Sequence, residues 1–277
     1  MMLSVAIIAR DEERHLAGAL ESVRGLAGEI LVLLDSRTRD RSAEIAREHG
    51  ARVVAEPWRG FPAQRNRALE LCAGDWVLFL DADERVTDDL AAEISALLED
   101  ARPETRDQRP EMQNMPPVSS LLSPVSCVGY WIPRHNQFFG RTLCGGGWYP
   151  DHQLRLLRRG RARYDETRLV HELVRLDGPA GYLSGHLLHL NIERLGELWR
   201  KQTSYALQEA QTLYLAGGRA RWRNFIGAPL REFQRRYVKL GGYRDGALGL
   251  FMCAALAYFE LVKYAHLKGL DAIKCKT

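Results

Sequence analysis

Across the first hundred residues, short apolar runs alternate with capped helical segments. That alternation limits the fold more than any other feature of the chain. Leu3–Ile8 is a continuous apolar run, as expected of a strand buried on both faces. Asp11 is placed to cap a helix from about Glu12 to Val23. Ile30–Leu34 reads as a second strand, Asp40 as the cap of a helix to about Glu48, and Gly50 as its stop. Arg52–Ala55 is a third strand, and Pro62 suits the first turn of a helix ending near Cys72. Trp76–Leu80 is a fourth strand, and Thr87 caps a helix to about Glu99. This order predicts an α/β fold, with a mostly parallel central sheet flanked by helices. Ligands of such sheets sit beyond the carboxyl ends of the strands.

The remainder divides by composition. Residues 1–100 form the α/β half. Residues 101–126 carry five of the 11 prolines without periodicity and read as a mobile loop. Residues 127–191 hold strand-like runs at Val128–Pro133, Gln153–Leu157 and Arg168–Val174 and read as the second half of the same domain. Residues 192–277 are helical in pattern, with a break at Gly217–Gly218. A composition of 46% hydrophobic and 27% charged residues excludes a disordered, collagen-like or polytopic membrane chain. The five cysteines include no C-x-x-C pair, which argues against a disulfide scaffold or zinc ribbon. The N-terminus turns acidic after a short apolar run and reads as a strand, not a signal peptide, so the expected compartment is the cytosol.

The strongest chemical signal is the run from Trp76 to Glu84, WVLFLDADE. A buried strand delivers Asp81 and Asp83, with Ala82 between them, to the carboxyl edge of the sheet. Three carboxylates within four residues need a cation, and Mg²⁺ or Mn²⁺ bridging a diphosphate meets that need. Asp35 ends the second strand at the same edge and is suited to accept hydrogen bonds from a base or ribose; Asp40 reads as a helix cap. Ala9, Arg10 and Glu12, at the end of the first strand, complete a three-sided crevice. Arg65 lies on the helix feeding the Asp81 strand and is a candidate phosphate contact. His189, in an apolar strand, is a candidate for the metal or the diphosphate. His186 and the pair His171–Glu172 are weaker candidates.

These residues carry a resemblance. Ser4–Glu13, Asp35–Ser42, Gly60–Leu69 and Gly74–Val86 resemble the nucleotide-sugar half of a family 2 glycosyltransferase of the GT-A fold. The branch it is most similar to is that of bacterial lipopolysaccharide-core β-glycosyltransferases. The shared motifs are F-x-x-Q-R-N-x-A-L (Phe61–Leu69), G-D-W-V-L-F-L-D-A-D-E (Gly74–Glu84), W-Y-P-D-x-Q-L-R-L (Trp148–Leu156), V-H-E (Val170–Glu172) and Y-x-D-G-x-x-G (Tyr243–Gly249). The resemblance implies that Asp35 and the backbone of Ala9 and Arg10 hold the base. It places Asp81 near the ribose and diphosphate, makes Asp83 a metal ligand, and puts Asp151 where the family carries its catalytic base. The chain departs from the family in the Arg-rich Ser36–Arg41 segment and in Pro150 before Asp151.

The chemistry is consistent with that assignment. A leaving diphosphate needs a metal ion and basic side chains, and an acceptor hydroxyl needs a base. One carboxylate and no nucleophile imply inversion. Arg134 and Trp148, with His135 and Asn136, are candidate acceptor contacts. The expected reaction moves a sugar from a nucleotide diphosphate, with UDP the expected nucleotide, to a hydroxyl of a glycolipid or oligosaccharide. The competing readings are a polyprenyl-phosphate glycosyltransferase and a non-catalytic membrane adaptor of the same fold. A nucleotidyltransferase is disfavoured because Ala9–Glu12 lacks a Gly-rich loop. From Arg194 to Arg244 there are eleven Lys/Arg and three Glu, interleaved with aromatic residues, ahead of the uncharged Gly246–Phe259. That pattern suits an anionic membrane surface in preference to nucleic acid, placing the enzyme peripherally on the inner face of the cytoplasmic membrane. A homodimer is the alternative use of the same helices.

Overall fold

The computed structural model describes residues 1–100, 127–166 and 173–274. The expected loop at 101–126, the V-H-E motif and most of the expected Arg168–Val174 strand lie outside the described residues.

The chain forms two compact units that interleave in sequence. One comprises residues 1–134 and 152–189, the other 135–151 and 190–277. The first begins as the sequence pattern predicts: β1 (Leu3–Ala9), α1 (Leu16–Ser22), β2 (Glu29–Asp35), α2 (Ser42–Glu48), β3 (Arg52–Glu56), α3 (Phe61–Leu71), β4 (Trp76–Leu80), then β5 (Glu84–Val86) and α4 (Asp88–Asp100). Helix α1 starts later than expected. Asp11 sits at a left-handed φ of 53°, and its carboxylate accepts the Arg39 N–H of the neighbouring loop instead of capping the helix. Asp40 is displaced from the cap as well: Arg41 holds the N-cap position of α2, and Asp40, one residue further out, accepts the N–H of Ser42 at 3.0 Å. Strand β5 is three residues long, too short to register as an apolar run.

The later elements are β6 (Gly129–Phe138), β7 (Arg141–Thr142), β8 (Asp151–Arg158), β9 (Ala162–Tyr164), β10 (Val174–Leu176), β11 (Ala180–Tyr182) and β12 (Leu187–Ile192). In the first unit the sheet order is β3-β2-β1-β4-β8-β6-β12-β5, with β11 beside β6. Strands β3, β2, β1 and β4 are mutually parallel. Beyond them the sheet is mixed, since β8 runs antiparallel to β4 and β12 antiparallel to β5. Every residue of β4 is buried, as befits a central parallel strand. One sheet face packs Val5, Ile7, Leu78 and Leu80 against α1 and α4; the other packs Leu31, Leu33, Val77 and Phe79 against α3.

In the second unit, β7 pairs with the end of β6, and helices α5 (Leu195–Leu215), α6 (Asn224–Phe233) and α7 (Gly246–Lys274) pack together. A six-residue π-helical stretch, Gln234–Lys239, follows α6. Gly217 lies at the expected break. The segment Gly242–Asp271 is long and apolar enough to cross a membrane. Met252, Cys253, Leu256 and Phe259 of α7 are nonetheless buried in the unit, and Lys263 is buried beside Glu260 and Glu209.

Candidate active site

In the first unit, residues 81–84 form a tight turn from β4 into β5. The Glu84 N–H donates to the Asp81 carbonyl at 2.9 Å, and the Asp81 N–H donates to Glu84 Oε2 at 3.0 Å. Glu84 is fully buried. Its Oε1 accepts from Arg134 Nη1 at 2.9 Å and Arg155 Nη2 at 2.8 Å. Arg155, also buried, donates through Nη1 to Asp81 Oδ1 at 3.2 Å and through Nη2 to Asp81 Oδ2. Arg65 Nη2 lies 3.4 Å from Asp81 Oδ1, and its guanidinium covers the rings of Phe79 and Tyr164. Desolvation pushes the Asp81 carboxyl up. The charges of Arg155, Arg65 and Arg134 overcome it and hold the group well below the usual carboxylate range.

Asp83 stands in the same turn. Its Oδ2 lies 3.3 Å from His189 Nε2. The sheet brings the two together: His189 is the antiparallel partner of Glu84 in β5, one residue from Asp83. Among the described residues no three His, Cys, Asp or Glu side chains gather as a metal cluster. One carboxylate oxygen and one imidazole nitrogen still fit Mn²⁺ or Mg²⁺ when phosphate oxygens complete the shell. Asp81, expected beside them as a ligand, instead has its oxygens engaged by guanidinium groups.

The loops after β1 and β2 brace each other. The Glu12 N–H donates to Ser42 Oγ, Glu13 N–H to Asp40 Oδ2, Arg39 N–H to Asp11 Oδ1, and Arg41 N–H to Glu13 Oε2, all between 2.8 and 3.1 Å. Asp35 is only 1% exposed. It accepts the Arg37 backbone N–H at 3.0 Å and the Arg37 guanidinium at 2.7 Å, with Arg10 Nη1 at 3.8 Å. The Arg37 side-chain hydrogen bonds bring its carboxyl down to about 2. Arg37, one of the family departures, thus engages the residue expected to hold the base.

Glu12 has the opposite shift. Burial, then the charges of Asp83, Asp40 and Asp81, push its carboxyl up from 4.5 to about 7. Between these values the folded chain holds a proton that the unfolded chain has released, so stability falls as pH rises and the loss is complete above about 7. Glu12→Gln should therefore match the wild type near pH 4 and be more stable at pH 8, by on the order of 2 kcal/mol after solvent screening. Denaturant midpoints at the two pH values, without divalent metal, check this; equal midpoints at pH 8 would count against it.

In the second unit, Asp151 Oδ2 accepts from Asn136 Nδ2 at 3.0 Å. The same amide group donates to the Trp148 carbonyl at 3.1 Å. Trp148 packs on Phe138, with Arg236 over its ring. The His135 ring lies tilted against that of Tyr149, with centroids 5.1 Å apart. The loop leading to Asp151 is held from the C-terminal region: Asp245 of the Tyr243–Gly249 motif accepts the N–H groups of Cys144 and Gly145 at 2.9 and 2.8 Å, and Arg236 Nη1, from the π-helical stretch, donates to the Gly146 carbonyl at 2.9 Å. A Cβ at Gly145 would lie 2.1 Å from the Gly241 carbonyl oxygen, so only glycine fits there.

The structure thus brings Asp81, Asp83, Arg65, Arg134 and His189 together around one turn, and sets Arg10 beside Asp35. Trp148 and Asp151 meet in the other unit. Sequence reasoning missed Glu84 as the buried keystone and Arg155 as its partner. The signal for Arg155 was a lone Arg inside the apolar run Leu154–Leu157. It also left the Tyr243–Gly249 motif without a task, which the Asp245 contacts now supply.

Residues 4–116 match the family model described as "Glycosyl transferase family 2". The chain is 29% identical over 285 residues to the "Lipopolysaccharide core biosynthesis glycosyltransferase LpsC" of Rhizobium meliloti, an alignment covering 99% of this chain and 94% of that one. An uncharacterized glycosyltransferase of Rickettsia conorii is 40% identical over 92 residues, 33% of this chain and 32% of that protein. Among solved structures, S. aureus TarS 1–349 in complex with UDP aligns with a TM-score of 0.45 at 11% identity, covering 100% of this chain and 92% of that one. Glucosyl-3-phosphoglycerate synthase from Mycobacterium tuberculosis, in complex with Mn²⁺, UDP and glucosyl-3-phosphoglycerate, aligns with a TM-score of 0.43 at 18% identity, covering 78% and 80%.

Proposed function

We propose that this chain, a family 2 glycosyl transferase over residues 4–116, is an inverting, metal-dependent enzyme. Its donor is a nucleotide-diphosphate sugar, with UDP the expected nucleotide, and its acceptor a hydroxyl of a glycolipid or oligosaccharide of the cell envelope. The observation that carries the reading is the Asp83–His189 pair beside a turn locked by Arg155, just past the carboxyl end of the parallel strand β4. Asp83 and His189 would hold Mg²⁺ or Mn²⁺. Bound there, the ion would neutralise charge on the diphosphate. Asp81 and Arg65 would line the ribose and phosphates, and Asp35, Ala9, Arg10 and Glu12 the nucleoside side. Asp151 would take the acceptor proton. Arg134 and Trp148 would contact the acceptor.

Calorimetric titration tests the donor half. One nucleotide among UDP, GDP, CMP and dTDP should bind in the presence of Mn²⁺, and Asp83→Ala should reduce that affinity by at least about tenfold, roughly 1.4 kcal/mol. No binding of any nucleotide would remove the reading at its root.

An exposed apolar row on and just before α6 supports an acceptor held at a membrane surface. Trp222, Ile226 and Leu230 recur every four residues and are 80%, 60% and 64% exposed. Arg221, Arg223 and Arg231 beside them in sequence, and Lys239 further on, are exposed as well. An apolar row with a basic rim suits the headgroup region of an anionic bilayer, which supports a peripheral enzyme at the inner face of the cytoplasmic membrane. Co-sedimentation with phosphatidylglycerol-containing vesicles should be lost when all three apolar residues become Glu. Sedimentation unchanged by that substitution would discard the membrane role, and a concentration-dependent dimer lost with it would assign the face to a second copy.

A further inference from the structure

A line of side-chain hydrogen bonds runs from the body of the second unit to Asp151. Lys201 Nζ, on α5, donates to Asn191 Oδ1 at 2.9 Å. Asn191 Nδ2, on β12, donates to Asn136 Oδ1 at 3.2 Å. Asn136 Nδ2, on β6, donates to Asp151 Oδ2 at 3.0 Å. Asn136 is buried, and Asn191 and Lys201 are half-buried.

The direction of this line is fixed at its far end. An ammonium group has only hydrogens to give, so the Asn191 atom facing Lys201 must be its oxygen. The Asn191 amino group then faces Asn136, whose facing atom must likewise be oxygen. The Asn136 amino group is thereby left to point at Asp151 and at the Trp148 carbonyl. Were either amide turned over, two like atoms would meet inside the unit, at the cost of unsatisfied buried polar groups. The carboxylate at the end of the line is accordingly offered a donor, and a donated hydrogen bond favours its ionised form.

We propose that Lys201, Asn191 and Asn136 are positioning residues for the acceptor base: they orient the Asp151 carboxylate and keep it ionised, through a polarity set by Lys201. The proposal rests on Asp151 being the base. None of the three needs to touch the acceptor for this role.

The test measures transfer to the acceptor across pH in Lys201→Met, Asn191→Leu and Lys201→Arg, with Asp151→Asn as control. The Met and Leu variants remove the polarity while keeping bulk. They should lower kcat at pH 7 by about five- to twentyfold and leave donor KM unchanged. The acid limb of kcat/KM should move to higher pH by about half a unit or more, because the carboxylate has lost its ordered donor. Lys201→Arg still donates and should keep the wild-type profile, separating positioning from mere packing. Thermal melts confirm that each variant is folded. Wild-type pH profiles in both Lys201→Met and Asn191→Leu would overturn the inference while leaving the base in place. An active Asp151→Asn would overturn the base assignment itself, and the inference with it.

Discussion

Arg155→Met should lower stability by about 3 kcal/mol, seen as a melting temperature reduced by roughly 6–12 °C. Arg155 is the buried cation between two carboxylates, Asp81 and Glu84. Met keeps much of its volume, so the loss is electrostatic and not a cavity. Glu84 is fully buried and keeps Arg134 and the Asp81 N–H, which puts the cost at the lower end of the range for a broken buried pair. Asp81 also loses the cation that most depresses its carboxyl, so its pKa should return toward the ordinary range. Nucleotide binding should weaken as the turn loosens. A melting temperature within about 2 °C of the wild type would mean that Arg134 alone holds Glu84.

Arg155 also shows where the sequence is readable and where it is not. The β1–α4 order is legible because each strand there is a short apolar run and each helix carries a cap or stop, both local signals. Trp76–Leu80 was legible to the residue because a central parallel strand is buried on both faces. Past β4 the sheet turns mixed, and its pairings join residues far apart in the chain. Glu84 meets Arg134 and Arg155 across fifty and seventy-one positions. No local pattern encodes such a contact. A charged residue in an apolar strand signals only that a buried partner exists, not which one.

The candidate site was legible in the same measure. Asp83 and His189 could each be singled out, one by its place after a buried strand and the other by its apolar setting. Their meeting depends on β12 pairing with β5, a three-residue strand with no periodicity to read. Asp35 was marked by its strand end, but the ion pair that occupies it arises from Arg37, two residues on. The Tyr243–Gly249 motif was visible only as a resemblance. Its Asp245 acts a hundred residues away, on the backbone of Cys144 and Gly145.

Asp151→Asn should cut transfer to a hydroxyl acceptor by a factor on the order of 10²–10⁴, the usual worth of a positioned general base. An alcohol barely ionises at neutral pH, so attack on the anomeric carbon must be accompanied by proton removal, and an amide cannot accept that proton. Asn136 Nδ2 would then face the new side chain at the place where it now donates to Oδ2. The substituted amide can turn its oxygen there, so the fold should hold and the nucleotide-binding isotherm should be unchanged. The loss should fall on kcat, with donor KM little altered, since the missing step is made only in the transition state. An acceptor that is already anionic, such as a polyprenyl phosphate, has no proton to surrender. A variant within a few-fold of the wild-type rate would therefore point to a phosphate acceptor and remove Asp151 from the chemistry. Loss of nucleotide binding together with turnover would instead mark Asp151 as a structural residue.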